Sequence, residues 1–458
     1  MRVKDMDYLW AEQALLPGGW AGNVLVGIGA DGRILSVARD QAPAGRRLDI
    51  LLPAPANVHS HAFQRAMAGL TEQRGPDPAD SFWTWRQLMF RFLDRLTPDH
   101  VQAITAYVQM EMLEAGYACN TEFHYLHHRP GGLPYDQPAE MAERIAAAAQ
   151  ETGIGLSLLP VHYQFGGCDR RPLGPGQIRF GTTPDAFLAL HEACRGIIRN
   201  AAPDSVLGTA PHSLRAVSAE GLRQVTDQAT GPIHMHVAEQ LAEVDEVLAH
   251  HGARPVEWIL ANAGVGPDWC LIHLTQMTAS ETCDLARTGV VAGLCPITEA
   301  NLGDGIFDGV RWLAEGGRIG IGSDSNIRIG LSEELRQLEH SQRLRDHSRA
   351  ALALPGLSTG RRIFDAAVAG GAQAAGRQSG AIVPGVWADL LALDGSSVDL
   401  SDRQGDMILD AFIFAGSDDM VCDVWSAGRH LVTEGRHRRR EAITAAYRRT
   451  MHALKDAL

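Results

Sequence analysis

A short apolar run followed by a loop and an amphipathic helical stretch recurs eight times, and this alternation limits what the chain can fold into. The first run, Leu51-Leu52-Pro53-Ala54-Pro55, leads into Asn57-Val58-His59-Ser60-His61, and seven more follow near 119–124, 154–163, 205–211, 233–237, 269–274, 289–296 and 318–323. Stretches such as 141–151, 185–199, 219–229 and 242–251 lie between them with helical spacing of apolar residues. Eight βα units predict an α/β fold, a (β/α)8 TIM-like barrel, with reactive side chains just past the strand C-termini. An insertion over about 76–96 interrupts the first unit.

The two ends read differently. Runs at 23–29 and 33–37 flank the turn signal Ala30-Asp31-Gly32 as a hairpin, and comparable short strands recur at 388–393, 423–428 and 429–432. The expected division is a small β-sandwich domain from residues 1–52 and 380–440, a barrel over 53–379 and a C-terminal helix over 441–458.

At 458 residues and 45% hydrophobic content the chain can build a large core. Its 41 basic and 54 acidic residues give a net charge of −13, which opposes nucleic acid and anionic membrane as partners, so an anionic ligand must meet a local cluster of arginine. Lysine occurs only as Lys4 and Lys455. The seven cysteines are scattered, with no Cys-X-X-Cys spacing, and read as small buried hydrophobes in a reducing compartment. No run reaches the ~18 apolar residues of a membrane span, and the N-terminus lacks a signal-peptide core. The chain therefore reads as cytoplasmic, with a homodimer left open.

Candidate chemistry sits at the ends of the predicted strands. Side chains alternate along a strand, so His59 and His61 share a face and form a metal-ligand pair. His234 and His236 share a face in the fifth strand, and Glu239 follows just beyond. The sixth and eighth strands lead to His273 and Asp324. Individually these could be a core histidine and a helix cap; a barrel gives all of them one common centre.

These residues carry a family resemblance over essentially the whole chain. The stretches His59-Ser60-His61-Ala62-Phe63-Gln64-Arg65, Phe82-Trp83-Thr84-Trp85-Arg86, His234-Met235-His236-Val237-Ala238-Glu239 and Ser323-Asp324-Ser325-Asn326 resemble the amidohydrolase superfamily, and within it the formimidoylglutamate deiminases. The resemblance implies that His59, His61, His236 and Asp324 hold one divalent metal, Zn2+ being the usual one, while Glu239, His273 and Asp324 handle protons. It further implies hydrolysis of a small dicarboxylate amidine, N-formimino-L-glutamate, to N-formyl-L-glutamate and ammonia in histidine degradation. Binuclear superfamily members that bridge their ions through a carboxylated lysine are excluded, since no interior lysine exists; in some members Cys or Glu replaces that bridge.

Arginine, a planar fork of donors, suits a substrate with two carboxylates. The substrate-binding candidates are Gln64, Arg86, Tyr125, His212 and Arg215. His127, His128, Glu299 and the run Arg438-Arg439-Arg440 read as structural or solvated. Two other readings stay open: a deaminase of another amidine or a guanine- or cytosine-like base, with Phe82, Trp83 and Trp85 available for stacking, and a non-catalytic binding protein on the same fold.

Overall fold

The computed structural model describes residues 6–72 and 82–455. Eight parallel strand positions form the barrel: β1 (Ala56–Ser60), β2 (Cys119–His124), β3 (Gly155–His162), β4 (Val206–Leu207, resumed at Ala210–Pro211), β5 (Ile233–Val237), β6 (Trp269–His273), β7 (Val291–Leu294) and β8 (Arg318–Ile321). Hydrogen-bonded neighbours run β5-β6-β7-β8-β1-β2-β3-β4. A parallel bridge between Thr209 and Ile233 closes β4 onto β5, with His234 N donating to Thr209 O at 3.0 Å.

Burial explains why these segments are strands. Every residue of β1, β2, β3, β5, β6 and β7 is buried, as expected where helices cover the outer face and side chains fill the interior. The fourth expected strand, 205–211, is split at Gly208, where a Cβ would lie 2.5 Å from Pro232 O and 2.3 Å from Leu159. The covering helices begin on hydroxyl caps, such as Thr183 before Pro184–Arg199 and Ser218 before Ala219–Thr226. They bury apolar positions including Phe187, Leu190, Leu222 and Val225.

The chain ends form one eight-stranded sheet in the order Arg436–His437, Arg429–Thr433, Val421–Ser426, Leu390–Leu393, Arg46–Pro53, Met6–Leu16, Gly19–Gly29, Ile34–Ala38. The expected sandwich arises because this sheet folds back on itself: Ile34 N donates to Val386 O and Ala388 N to Gly32 O, enclosing Leu9, Val24, Val26, Ile28, Leu390 and Trp425. Its other face, with Ile50, Leu52, Leu391 and Leu393, joins the main core of the barrel. The helix Arg440–Leu454 packs against Pro98–Glu114 through Tyr107 and Tyr447, stacked at 4.1 Å.

Part of the predicted insertion, 76–81, and the side chains of Phe82 and Trp83 lie outside the described residues. Helix Phe82–Leu93 follows and carries Trp85, Arg86 and Met89 to the cleft at the strand C-termini, so the insertion builds a wall of the site. No described helix is long and apolar enough to cross a membrane. All seven cysteines are free.

Candidate active site

His59, His61 and His236 bring ring nitrogens within 4.8 Å of one another at the C-terminal ends of β1 and β5. Two histidines on one strand normally sit a full repeat apart; here the β1–β2 register shifts between Asn57 and Ser60, and His61 turns out of the strand at φ −117°, ψ 81°. That bend brings both imidazoles to one point. His234 has no such bend: it lies deeper on β5, with Nε2 2.7 Å from Ala374 O, so of the second histidine pair only His236 reaches the centre.

Hydrogen-bond bookkeeping tests whether this centre suits a cation. His61 Nδ1 lies 3.0 Å from Phe123 O, and His236 Nδ1 lies 3.2 Å from His212 O. A carbonyl only accepts, so each Nδ1 carries the proton and each neutral ring leaves Nε2 bare. His61 Nε2 then faces Asp324 Oδ1 at 3.3 Å, and His236 Nε2 faces His59 Nε2 at 3.0 Å; His59 Nε2 is 3.4 Å from Asp324 Oδ1. The bare His61 Nε2 held against a carboxylate oxygen, with the bare His236 Nε2 and the His59 Nε2 converging on the same buried point, calls for a positive ion. The spacings match the roughly 3.4 Å edge of a tetrahedron with ~2.1 Å metal–ligand bonds. Burial keeps the imidazoles neutral, holding His59 down at about 3 and lowering His61 and His236 as well. Burial alone would raise Asp324, but the hydrogen bond from His59 and the surrounding histidines, His273 among them, override it and hold the carboxyl below the usual range. The residues fit a divalent cation.

Backbone strain gathers at the same place. Ala238 (φ 53°), His273 (φ 74°), Leu274 (φ 55°) and Asp324 (φ 46°) all adopt left-handed conformations that non-glycine residues rarely take. The strain aims Glu239, His273 and Asp324 into the cleft. Glu239 Oε2 accepts from Arg215 at 3.2 Å, and Glu243, which accepts the backbone N–H of Ala238 and Glu239, lies 3.9 Å from the same guanidinium. His273 Nε2 lies 3.8 Å from Glu239 Oε1 and 4.0 Å from Asp324 Oδ2, and its Nδ1 lies 3.3 Å from Glu299 Oε1. Burial works against charge on His273, yet Glu239, Glu299 and Asp324 together raise it to about 10.

The cleft encloses about 530 Å³ including its mouth. His61, Gln64, Arg86, Tyr125, His212, Arg215, His236, Glu239, His273 and Asp324 all line it, and His59 lies fully buried beneath. Gln64 donates to Tyr125 Oη at 2.8 Å, and Arg86 donates to Tyr163 Oη at 2.9 Å. One terminal nitrogen of Arg215, expected to meet an anionic substrate, is already engaged by Glu239, while its Nε is buried without a partner among the described residues.

Sequence reasoning left several contributors out. Tyr163, Phe180, Met89 and Leu302 line the cleft, and Glu299, read as structural or solvated, is buried and orients His273. Glu122 on β2 accepts Ala62 N–H at 2.7 Å and so fixes the turn after His61; burial pushes its carboxyl up to about 7. For Tyr163 a signal existed, since it ends the third predicted strand. Glu299 had none, because its partner is 26 residues away. His127 and His128 bond backbone carbonyls, Val161 O and Gly181 O, in keeping with a structural role.

A parallel barrel with this donor set at its C-terminal rim defines a metal-dependent hydrolase, and the chain belongs to the amidohydrolase family, whose profile matches residues 50–431. Residues 6–47 match the N-terminal domain of formimidoylglutamate deiminase HutF. The chain is 46% identical to the formimidoylglutamate deiminase of Pseudomonas aeruginosa, over 98% of this chain and 100% of that protein. Among solved structures, an amidohydrolase from Brucella melitensis superposes with a TM-score of 0.93 at 46% identity, covering 98% of this chain and 100% of its own. An adenosine deaminase from Xanthomonas campestris shares the fold at a TM-score of 0.82 and 21% identity, over 98% of each chain.

Proposed function

We propose that this chain hydrolyses N-formimino-L-glutamate to N-formyl-L-glutamate and ammonia, using one divalent cation held by His59, His61, His236 and Asp324. The observation that carries the reading is a cation site of three neutral imidazoles and a carboxylate at the floor of a cleft with Arg86 and Arg215 on its walls, in a chain 46% identical to a formimidoylglutamate deiminase. Zinc is our assignment for the ion, because three imidazoles and one carboxylate suit its tetrahedral preference. When bound, the ion supplies an activated water, whose pKa such sites bring to about 7.

The protein side chains direct the rest. Asp324 Oδ2, facing His273, accepts a proton as water attacks the formimino carbon. Attack forms one C–O bond and leaves a tetrahedral carbon bearing two nitrogens. His273, charged between Glu239, Glu299 and Asp324, steadies the developing negative charge, and Glu239 carries a proton to the terminal nitrogen. Both protons of the attacking water end on that nitrogen, the one taken by Asp324 and the one on the new hydroxyl; the hydroxyl becomes the carbonyl as the C–N bond to that nitrogen breaks, ammonia leaves, and the glutamate nitrogen stays as a formamide. Arg86 and Arg215 pin the carboxylates, which keeps the glutamate nitrogen toward the clamp and the terminal nitrogen near Glu239. A flat, neutral nucleobase would make no use of the two guanidinium groups on the cleft wall, and a non-catalytic scaffold would have no use for the complete donor set.

Two measurements follow from this reading. With substrate labelled at the formimino carbon, carbon NMR is expected to show the label in N-formylglutamate; label in formamide would mean that glutamate leaves and that the nitrogen assignment is reversed. Arg86→Met is expected to raise KM with a smaller change in kcat, whereas Arg215→Met lowers both kcat and substrate affinity because it also releases Glu239. The combined loss in kcat/KM for Arg215→Met is about 2–5 kcal/mol. Equal KM-only effects in the two variants would remove the link between Arg215 and Glu239.

A further inference from the structure

Tyr163 sits directly after β3, and its backbone is bracketed by Thr182: Tyr163 N donates to Thr182 Oγ1 at 3.2 Å, and Thr182 N donates to Tyr163 O at 2.8 Å. Its ring is held by Phe180 at 5.6 Å and His212 at 4.5 Å between centroids, and only 2% of the residue is exposed. The phenol therefore has one available position, at the cleft wall.

The oxygen at that position receives two hydrogen bonds. Arg86 Nη2 donates to it at 2.9 Å, and a guanidinium has no other role open to it. Gln177 Nε2 lies 2.9 Å away on another side. The amide of Gln177 cannot be turned the other way, because its Oε1 accepts Gly174 N–H at 3.0 Å. With both acceptor directions of the phenol filled by obligate donors, its own O–H must point elsewhere, and it is directed at no acceptor among the described residues. Arg215 lines the same cleft as Tyr163 and Arg86.

We propose that Tyr163 is a specificity-determining residue, whose phenolic O–H donates to the substrate carboxylate held by Arg86. A carboxylate is acceptor-only and takes a charge-assisted bond from each partner; a carboxamide would turn its N–H2 toward donors or keep one weaker bond. Gln177 is the positioning residue that turns the O–H outward. The wall thus reads the charge state of the ligand as well as its shape. The inference rests on the dicarboxylate reading of the cleft.

The test uses calorimetric binding to the zinc-loaded protein, so that it does not depend on turnover. The probes are N-formyl-L-glutamate and its two mono-carboxamides, in which one acid at a time is replaced. Tyr163→Phe is expected to weaken binding of the dicarboxylate about 10- to 100-fold, the size of one hydrogen bond to a charged group. It should weaken one mono-carboxamide as much and the other, lacking the recognised acid, much less. Undiminished affinity for the dicarboxylate, or an equal loss with all three probes, overturns the proposal. The same substitution in an Arg86→Met background separates direct contact from support: a persisting loss supports a bond to the ligand, and a vanished loss shows that Tyr163 only holds Arg86. Should the parent bind N-formylglutamate yet release no ammonia from formiminoglutamate, the proposed reaction fails while the binding arms still decide the role of Tyr163.

Discussion

His61→Ala protein is expected to lose its metal and its activity together, while His273→Asn protein keeps the metal and turns over roughly 10²–10⁴-fold more slowly. The two histidines lie in the same cleft but relate differently to the cation site. His61 has its proton fixed on Nδ1 by Phe123 O, so its Nε2 lone pair faces Asp324 Oδ1 at 3.3 Å with nothing but a cation to satisfy it. His273 stands 4.0 Å from the other Asp324 oxygen and is occupied by carboxylates on both ring nitrogens. Removing it leaves the three imidazoles and Asp324 intact. Elemental analysis beside steady-state kinetics separates the outcomes, with one ion per chain expected in the parent. Normally folded His273→Asn protein without metal would place His273 among the ligands, and two tightly held ions required for turnover would overturn the single-ion site.

What the sequence made legible was whatever local spacing encodes. His59, His61, His236, Glu239, His273 and Asp324 could be read together because each ends a predicted strand, and a closed barrel turns that shared property into one location. The register shift that lets His59 and His61 converge could not be read, since it depends on how β1 pairs with β2. For the same reason alternation grouped His234 with His236, although Ala374 O holds His234 deeper in the barrel.

The roles of the polar residues around the centre were less legible because they depend on partners distant in sequence. Arg215 was read as an anion clamp from its place after the fourth strand; Glu239, 24 residues on, already engages one of its nitrogens. Tyr163 belonged to a predicted strand end, but only its bonds to Arg86 and Gln177 give its hydroxyl a direction. Charge offered the better guide. With a net −13 and no interior lysine, every permanently charged interior cation had to be an arginine, and the buried Arg215 and Arg377 each engage a carboxylate.

Arg377 is the buried arginine on which the union of sheet and barrel depends, and Arg377→Met is expected to destabilise the protein by about 3–5 kcal/mol, the range for leaving buried charge without its partner. Its guanidinium follows the helix Thr359–Ala374, bonds both oxygens of Asp389 at 2.6 and 2.9 Å, and reaches the carbonyl and a carboxylate oxygen of Asp204 at 2.7 and 2.8 Å. Asp389 leads into strand Leu390–Leu393 and accepts Ala427 N–H, so it belongs to the small sheet, whereas Asp204 precedes β4 of the barrel. Arg429 also bonds Asp204, at 2.8 and 2.7 Å, but it makes no bond to Asp389, which keeps the Ala427 N–H but no cation when Arg377 is removed. The pH dependence has a definite sign. Burial would raise Asp204, and the bonds from Arg429 with the charge of Arg377 reverse this and hold it below its ordinary value. A depressed carboxyl contributes stability that is complete above the unfolded value near ~3.9 and is lost as pH falls through the folded value. The gap between parent and variant in urea unfolding should therefore be full at neutral pH and narrow below about pH 4. A gap under 1 kcal/mol at neutral pH, or one that widens in acid, would show that the ion-pair network does not join the two parts of the fold.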